Sequence, residues 1–144
     1  MGINAFFTDE LGASFRHRRM SWGAVRKADK VIFLRVWEEH FQEKTASEAR
    51  TVWILVDVWK ADTPGSFGYR ERQGHVERIR AGATSYAVIC RHKVVKDDKW
   101  EIAGFDCEWV YPIVGLHDED GETWAVLGSR INVAEVAPGV AGHR

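Results

Sequence analysis

Cysteine and proline are scarce in this chain of 144 residues, which holds 2 of the former and 3 of the latter. Cys90 and Cys107 allow one bridge at most, which excludes a disulfide scaffold and reads as two reduced, packed thiols of a cytoplasmic protein. Few prolines, with 45% hydrophobic and 28% charged residues, argue against disorder over most of the length. No apolar run approaches the roughly 18–20 residues that span a bilayer, so no membrane partner is expected. Met1 to Phe7 is short and uncharged and is followed by Asp9 and Glu10, unlike a signal peptide.

Catalytic and cofactor signatures are missing as well. There is no glycine-rich phosphate cradle, and Gly65-Ser66-Phe67-Gly68 falls one residue short of a nucleophile elbow. The histidines at 17, 40, 75, 92, 117 and 143 are dispersed, and no pair has helical metal spacing. Cys90 and His92 are two apart on an expected strand, half a zinc site. Asp118, Glu119, Asp120 and Glu122 lack the spacing of a calcium loop. No metal, cofactor or catalytic residue is assigned on these grounds, and an enzyme is the less favoured class. Asp57, Glu71, Glu77 and Asp106 are left as carboxylates that only the fold could bring together.

Large aromatics, by contrast, are plentiful: 7 Trp and 7 Phe. Charge is unevenly distributed. Residues 1–96 carry 17 Lys/Arg against 11 Asp/Glu, and residues 97–144 carry 3 against 10, although the whole chain has a formal charge of −1. Halves kept on separate faces would give one basic side; a fold that interleaves them would not.

Along the chain, Phe6, Phe7 and Leu11 are expected to tuck a mixed lead-in against the core. Val31–Trp37, Thr51–Trp59 and Thr84–His92 are β-branched and aromatic runs typical of strands. Trp100–Phe105, Glu108–Leu116 and Thr123–Val133 continue the series, the last with Trp124, Val126, Ile131 and Val133 available to the core. Glu38–Arg50 reads as a short helix or a loop. Asp62–Gly68 is a turn cluster, Lys96–Lys99 a solvated hairpin tip, and the Asp120-Gly121 pair a tight turn. Tyr69–Arg80 is the best helix candidate: Tyr69, Val76, Ile79 and Ala83 share one stripe, and Gly82 is placed to cap its end. Gly74 inside it costs roughly 1 kcal/mol against Ala, so packing or a close approach should compensate. The reading is one α+β domain over residues 1–137, with a flexible tail at 138–144. Its architecture is a strongly bent, mostly antiparallel sheet or small barrel of five to seven strands with one or two helices.

The sites that remain are basic and aromatic. Arg16, Arg18, Arg19, Arg26 and Lys27 flank Trp22, and the helix candidate adds Arg70, Arg72, His75, Arg78 and Arg80. Guanidinium groups fork onto phosphates, and aromatic faces stack on bases. The competing reading gives the helix arginines to Glu71, Glu77 and other acids as salt bridges. Trp37, Trp53 and Trp59 read as core, leaving Trp22 as the surface indole.

Arg19-Met20-Ser21-Trp22-Gly23-Ala24, Val31–Glu39, Tyr69-Arg70-Glu71-Arg72-Gln73-Gly74-His75, the strand Gly82–Cys90 and the Gly104-Phe105-Asp106 step together resemble a bacterial module found with HNH-type endonucleases. That module is similar to PUA-like sensors of modified bases, and the resemblance spans about residues 15–133. It implies a PUA-like fold that holds an unstacked base of DNA or RNA in an aromatic pocket. Ser21 and Trp22 would line the pocket, while Arg16, Arg18, Arg19 and Arg72 would hold the backbone, with His75 beside them. Met20 stands where the pattern has an aromatic, and the 144 residues hold no nuclease domain, so cleavage is not expected of them. Two other classes stay open: a small-molecule binder or small enzyme with an aromatic-lined cavity, and an oligomerisation or accessory protein of a mobile element, with a homodimer as one form.

Overall fold

A computed structural model describes residues 1–42, 50–56, 67–96 and 100–138. A short helix, α1 (Ile3–Ala5), continues as a π-helical segment, Phe6–Leu11. Eight strands follow: β1 (Gly23–Val25), β2 (Ile32–Trp37), β3 (Arg50–Val56), β4 (Ser85–Val94), β5 (Trp100–Phe105), β6 (Trp109–Glu119), β7 (Glu122–Leu127) and β8 (Ile131–Asn132). Helix α2 (Phe67–Arg80) falls between β3 and β4, and a single turn, α3 (Val133–Val136), follows β8. The expected positions Asp57 and Trp59, the turn at 62–66, the hairpin tip at 97–99 and the tail from 139 onward lie outside the described residues.

The sheet runs β1-β2-β4-β6-β7-β3, with β5 added to β4 and β8 to β6, and it curls into a half-barrel. Every pairing is antiparallel except β2 with β4, where Ile32 stands beside Ser85 and Trp37 beside Cys90. A parallel neighbour requires a crossover, and the chain between β2 and β4 supplies it through β3 and α2. The α+β class, the strong bend and the antiparallel majority agree with the sequence.

Period-two alternation along β2 divides the interior. Phe33 joins Phe6, Phe7, Leu11, Val88, Val110, Val133 and Val136 in one core, beneath the two chain ends. Ile32, Leu34 and Val36 face the other way, onto Val52, Ile54, Ala125 and the α2 residues Val76 and Ile79. The stripe expected of α2 is therefore the buried one. The helix closes as its sequence suggests: the Gly82 and Ala83 N–H groups donate to the Ile79 and Arg78 carbonyls (both 3.0 Å). Asp120 and Gly121 take φ values of 49° and 79°, the pair of positive angles that a two-residue hairpin turn between β6 and β7 requires.

Four expectations are corrected. The run Thr123–Val133 is not one strand: it breaks after Leu127, and Asn132 caps α3 by accepting from the Ala134 N–H while Glu135 accepts from the Asn132 N–H. Trp53 is not core. It pairs with Trp124 across β3 and β7, centroids 5.0 Å apart, and both rings are half-buried on the face opposite Val52 and Ala125. Cys107 is exposed, whereas Cys90 is buried. Gly74 has no close approach to offset its helical cost, since a Cβ there would meet nothing within 4 Å.

Candidate functional site

Segment 15–22 lies across the first half of α2. Its turn closes on itself, the Met20 and Ser21 N–H groups both donating to the His17 carbonyl (3.2 and 3.0 Å). Glu71 then fastens it to the helix. The Ser21 hydroxyl donates to one carboxylate oxygen (2.8 Å) and the Trp22 N–H to the other (3.0 Å), while the Ser21 oxygen accepts from the His17 N–H (2.9 Å). Ser21 is thus spent on positioning, at 1% exposure.

The Trp22 indole rests on α2 where the helix has no side chain. A Cβ on Gly68 would stand 2.1 Å from the indole Nε1, so only glycine admits the ring there. Tyr69 meets it edge-on at 6.3 Å and the Arg72 guanidinium lies 5.7 Å from its centroid. Trp22 is half-buried, its edge toward the helix covered.

Arg72 departs from its expected role on a phosphate backbone. It is 3% exposed and donates to three backbone carbonyls: Ile54 (2.7 Å), Trp22 (2.8 Å) and Arg35 (2.7 Å). Ile54 sits where the β3–β7 register slips between Trp53 and Leu55, which turns its carbonyl out of the ladder. One guanidinium therefore ties β3 to β2 and to the start of β1, across the open seam of the half-barrel. Burial, and then the nearby Arg35, lower its pKa to about 9, so it stays charged at neutral pH. Sequence reasoning had the signal for this: Tyr69, Arg72, Val76 and Ile79 share the helical spacing of one buried face.

His75 is also buried. Desolvation, and then Arg72, Arg78 and Arg16, push its pKa down to about 4, and its Nδ1 has no hydrogen-bond partner. Arg16, Arg18 and Arg19 remain on the surface, Arg16 over the Phe67 ring at 5.6 Å. Arg70 and Arg78 are exposed on α2. None of these five guanidinium groups has a carboxylate within ion-pair distance among the described residues.

Other expected members are consumed elsewhere. Arg26 is buried, paired with Asp29 (3.0 Å) and donating to the Leu11 and Val136 carbonyls (2.8 and 2.7 Å). Arg80 forms a two-pronged pair with Asp118 of the acidic hairpin, both contacts 2.6 Å. The acidic and basic halves of the chain therefore meet at the end of α2, whereas its beginning stays basic. The candidate carboxylates do not pool: Glu71 holds Ser21 and Trp22, Glu77 approaches Arg80 (3.8 Å), and Asp106 accepts from the Glu108 and Trp109 N–H groups. Among the described residues no three His, Cys, Asp or Glu side chains group as a metal site, and no helix is long and apolar enough to cross a membrane.

The structure thus gathers Ser21, Trp22 and Arg72 around Glu71, sets Arg16 and His75 close by, and carries Arg18 and Arg19 on the same turn. Comparison with known protein families, with curated proteins and with solved structures finds no match to this chain.

Proposed function

We propose that this chain is a non-enzymatic nucleic-acid-binding module of PUA-like type, acting in the bacterial cytoplasm on DNA or RNA and reading an unstacked, modified base beside Trp22. One observation carries the reading: Arg16, Arg18 and Arg19 are exposed on the turn that brings the half-buried Trp22 onto α2, Arg70 and Arg78 are exposed along that helix, and among the described residues none of the five has a carboxylate within ion-pair distance. Phosphates supply the charge that such a surface lacks, and a base supplies the flat partner that an indole accepts. Arg72, Ser21 and Glu71 serve the site by holding the loop in place. A groove of about 570 Å³ between the end of α2 and β6 is lined by Ile79, Arg80, Gly82, Ala83 and residues 113–116, so that groove offers neither a carboxylate nor a histidine for acid–base work.

Fluorescence anisotropy of short labelled oligonucleotides, at several salt concentrations, tests the proposal. Replacing Arg16, Arg18 and Arg19 together by Gln should flatten the plot of log affinity against log salt by about 2–3, at roughly 0.7–0.9 per lost phosphate contact. Trp22→Ala should weaken binding by about 1–3 kcal/mol if the indole stacks on a base. Absence of binding at low salt, or indifference to both changes, removes the proposal.

A further inference from the structure

Among the described residues, the charges behind the loop do not balance. Arg35, on β2, and Arg72, on α2, both feel Glu71, whose two oxygens are already bonded by Ser21 and Trp22. Their other acidic neighbour, the Cys90 thiol, is pushed up to about 11 by burial and stays neutral at pH 7. Two guanidinium groups thus share one carboxylate.

They differ in what they hold. Arg72 is occupied by three carbonyls. Arg35 is half-buried, and its guanidinium lies 5.4 Å from the centre of the Phe15 ring, at the base of the loop. Among the described residues no hydrogen bond from its side chain exists. The residue keeps part of its surface exposed. A guanidinium has five N–H donors in a planar fork, and partial burial without acceptors is costly. Phe15 flanks the guanidinium on one side and is not itself an acceptor for its N–H groups. The chemistry that matches is an anion with two oxygens in one plane, placed beside two guanidinium groups that share one carboxylate among the described residues.

We propose that Arg35 is a phosphate-binding residue, taking a phosphate group at the margin between segment 15–22 and β2, with Phe15 beside the guanidinium and Glu71 and Arg72 fixing the strand and loop around it. This deepens the nucleic-acid reading, on which it rests for the source of the phosphate: the group would be that of the nucleotide whose base meets Trp22.

The test uses the full chain, labelled with nitrogen-15, and follows the arginine Nε–Hε resonances at constant ionic strength. The Arg35 signal is assigned from its loss in Arg35→Lys. Inorganic phosphate and a deoxynucleoside monophosphate are the probes, followed by anisotropy with the labelled oligonucleotide. A saturable shift of the Arg35 signal is expected with both probes. Arg35→Lys and Arg35→Gln should weaken the oligonucleotide about tenfold or more, the loss of a charge-assisted hydrogen bond. Saturable phosphate binding at Arg35 without oligonucleotide binding supports this site and sinks the nucleic-acid reading. Oligonucleotide binding that leaves the Arg35 signal unmoved, and both variants unweakened, overturns the assignment while that reading stands. If Arg35→Gln fails to fold, the wild-type titration and Arg35→Lys decide alone.

Discussion

Arg72→Met removes the guanidinium that spans the seam of the half-barrel while roughly keeping its length and apolar stem. The three acceptors are not equally dependent on it. The Trp22 carbonyl also accepts from the Arg35 N–H (2.9 Å), so it retains a partner. Ile54, at the register slip, has Arg72 Nη1 at 2.7 Å. A hydrogen bond to a charged group contributes about 1.5–3 kcal/mol, and a buried carbonyl left without a donor costs about 1–3 kcal/mol. Against these stands the desolvation of the guanidinium, which Met does not incur and which can cancel much of a buried ion's gain. A net loss of about 2–4 kcal/mol is expected. With a urea m-value of about 2 kcal/mol per molar, the middle of the range for small proteins, the midpoint should fall by about 1–2 M. Arg72→Lys should not restore it, since an ammonium cannot fork across three carbonyls. Urea unfolding followed by tryptophan fluorescence is the assay. A Met variant as stable as wild type would show that the guanidinium does not fasten the seam.

Gly74→Ala should stabilise the chain by about 0.5–1 kcal/mol, because the position is exposed within α2 and a Cβ meets only open space; a lower melting temperature would contradict this. His75 should make stability depend on pH. Its folded pKa of about 4 lies below the ordinary 6.5, so the unfolded chain takes up the proton first. Stability should be intact above about pH 6.5 and decline as pH falls toward about 4. In His75→Phe the decline over that interval should flatten, as measured by urea midpoints at successive pH values; an unchanged slope would refute the assignment. Asp118, held down to about 2 by Arg80 and Thr123, acts in a separate and lower window.

Much of the frame was legible because it is local. The β-branched runs around Phe33, Ile54 and Val88 fixed three strands, and Asp120-Gly121 fixed a hairpin by its backbone angles alone. Phe6, Phe7 and Leu11 were recognisable as core without any periodic element around them. What escaped depends on distant partners. Gly23–Val25 is a strand only because β2 lies beside it, and Ile131–Asn132 is separate from β7 because it pairs with Trp109 and Val110 at the start of β6. Trp53 and Trp124 were misplaced because an outward indole pair in an apolar strand looks the same as an inward one. In the site, the loop and helix were each visible, but the Glu71 clamp joins residues about fifty apart and leaves no local trace. Arg72 was misread because composition places arginine at the surface, although its helical spacing placed it inside.

The Trp53–Trp124 pair has a spectroscopic corollary. Two indoles 5.0 Å apart and inclined at 43° couple their electronic transitions. The circular dichroism spectrum should therefore carry an aromatic couplet superimposed on the peptide signal, and a helix fraction taken from it uncorrected would be wrong. The same couplet offers a built-in reporter: its disappearance during denaturation tracks the separation of β3 from β7, independently of the melting of α2.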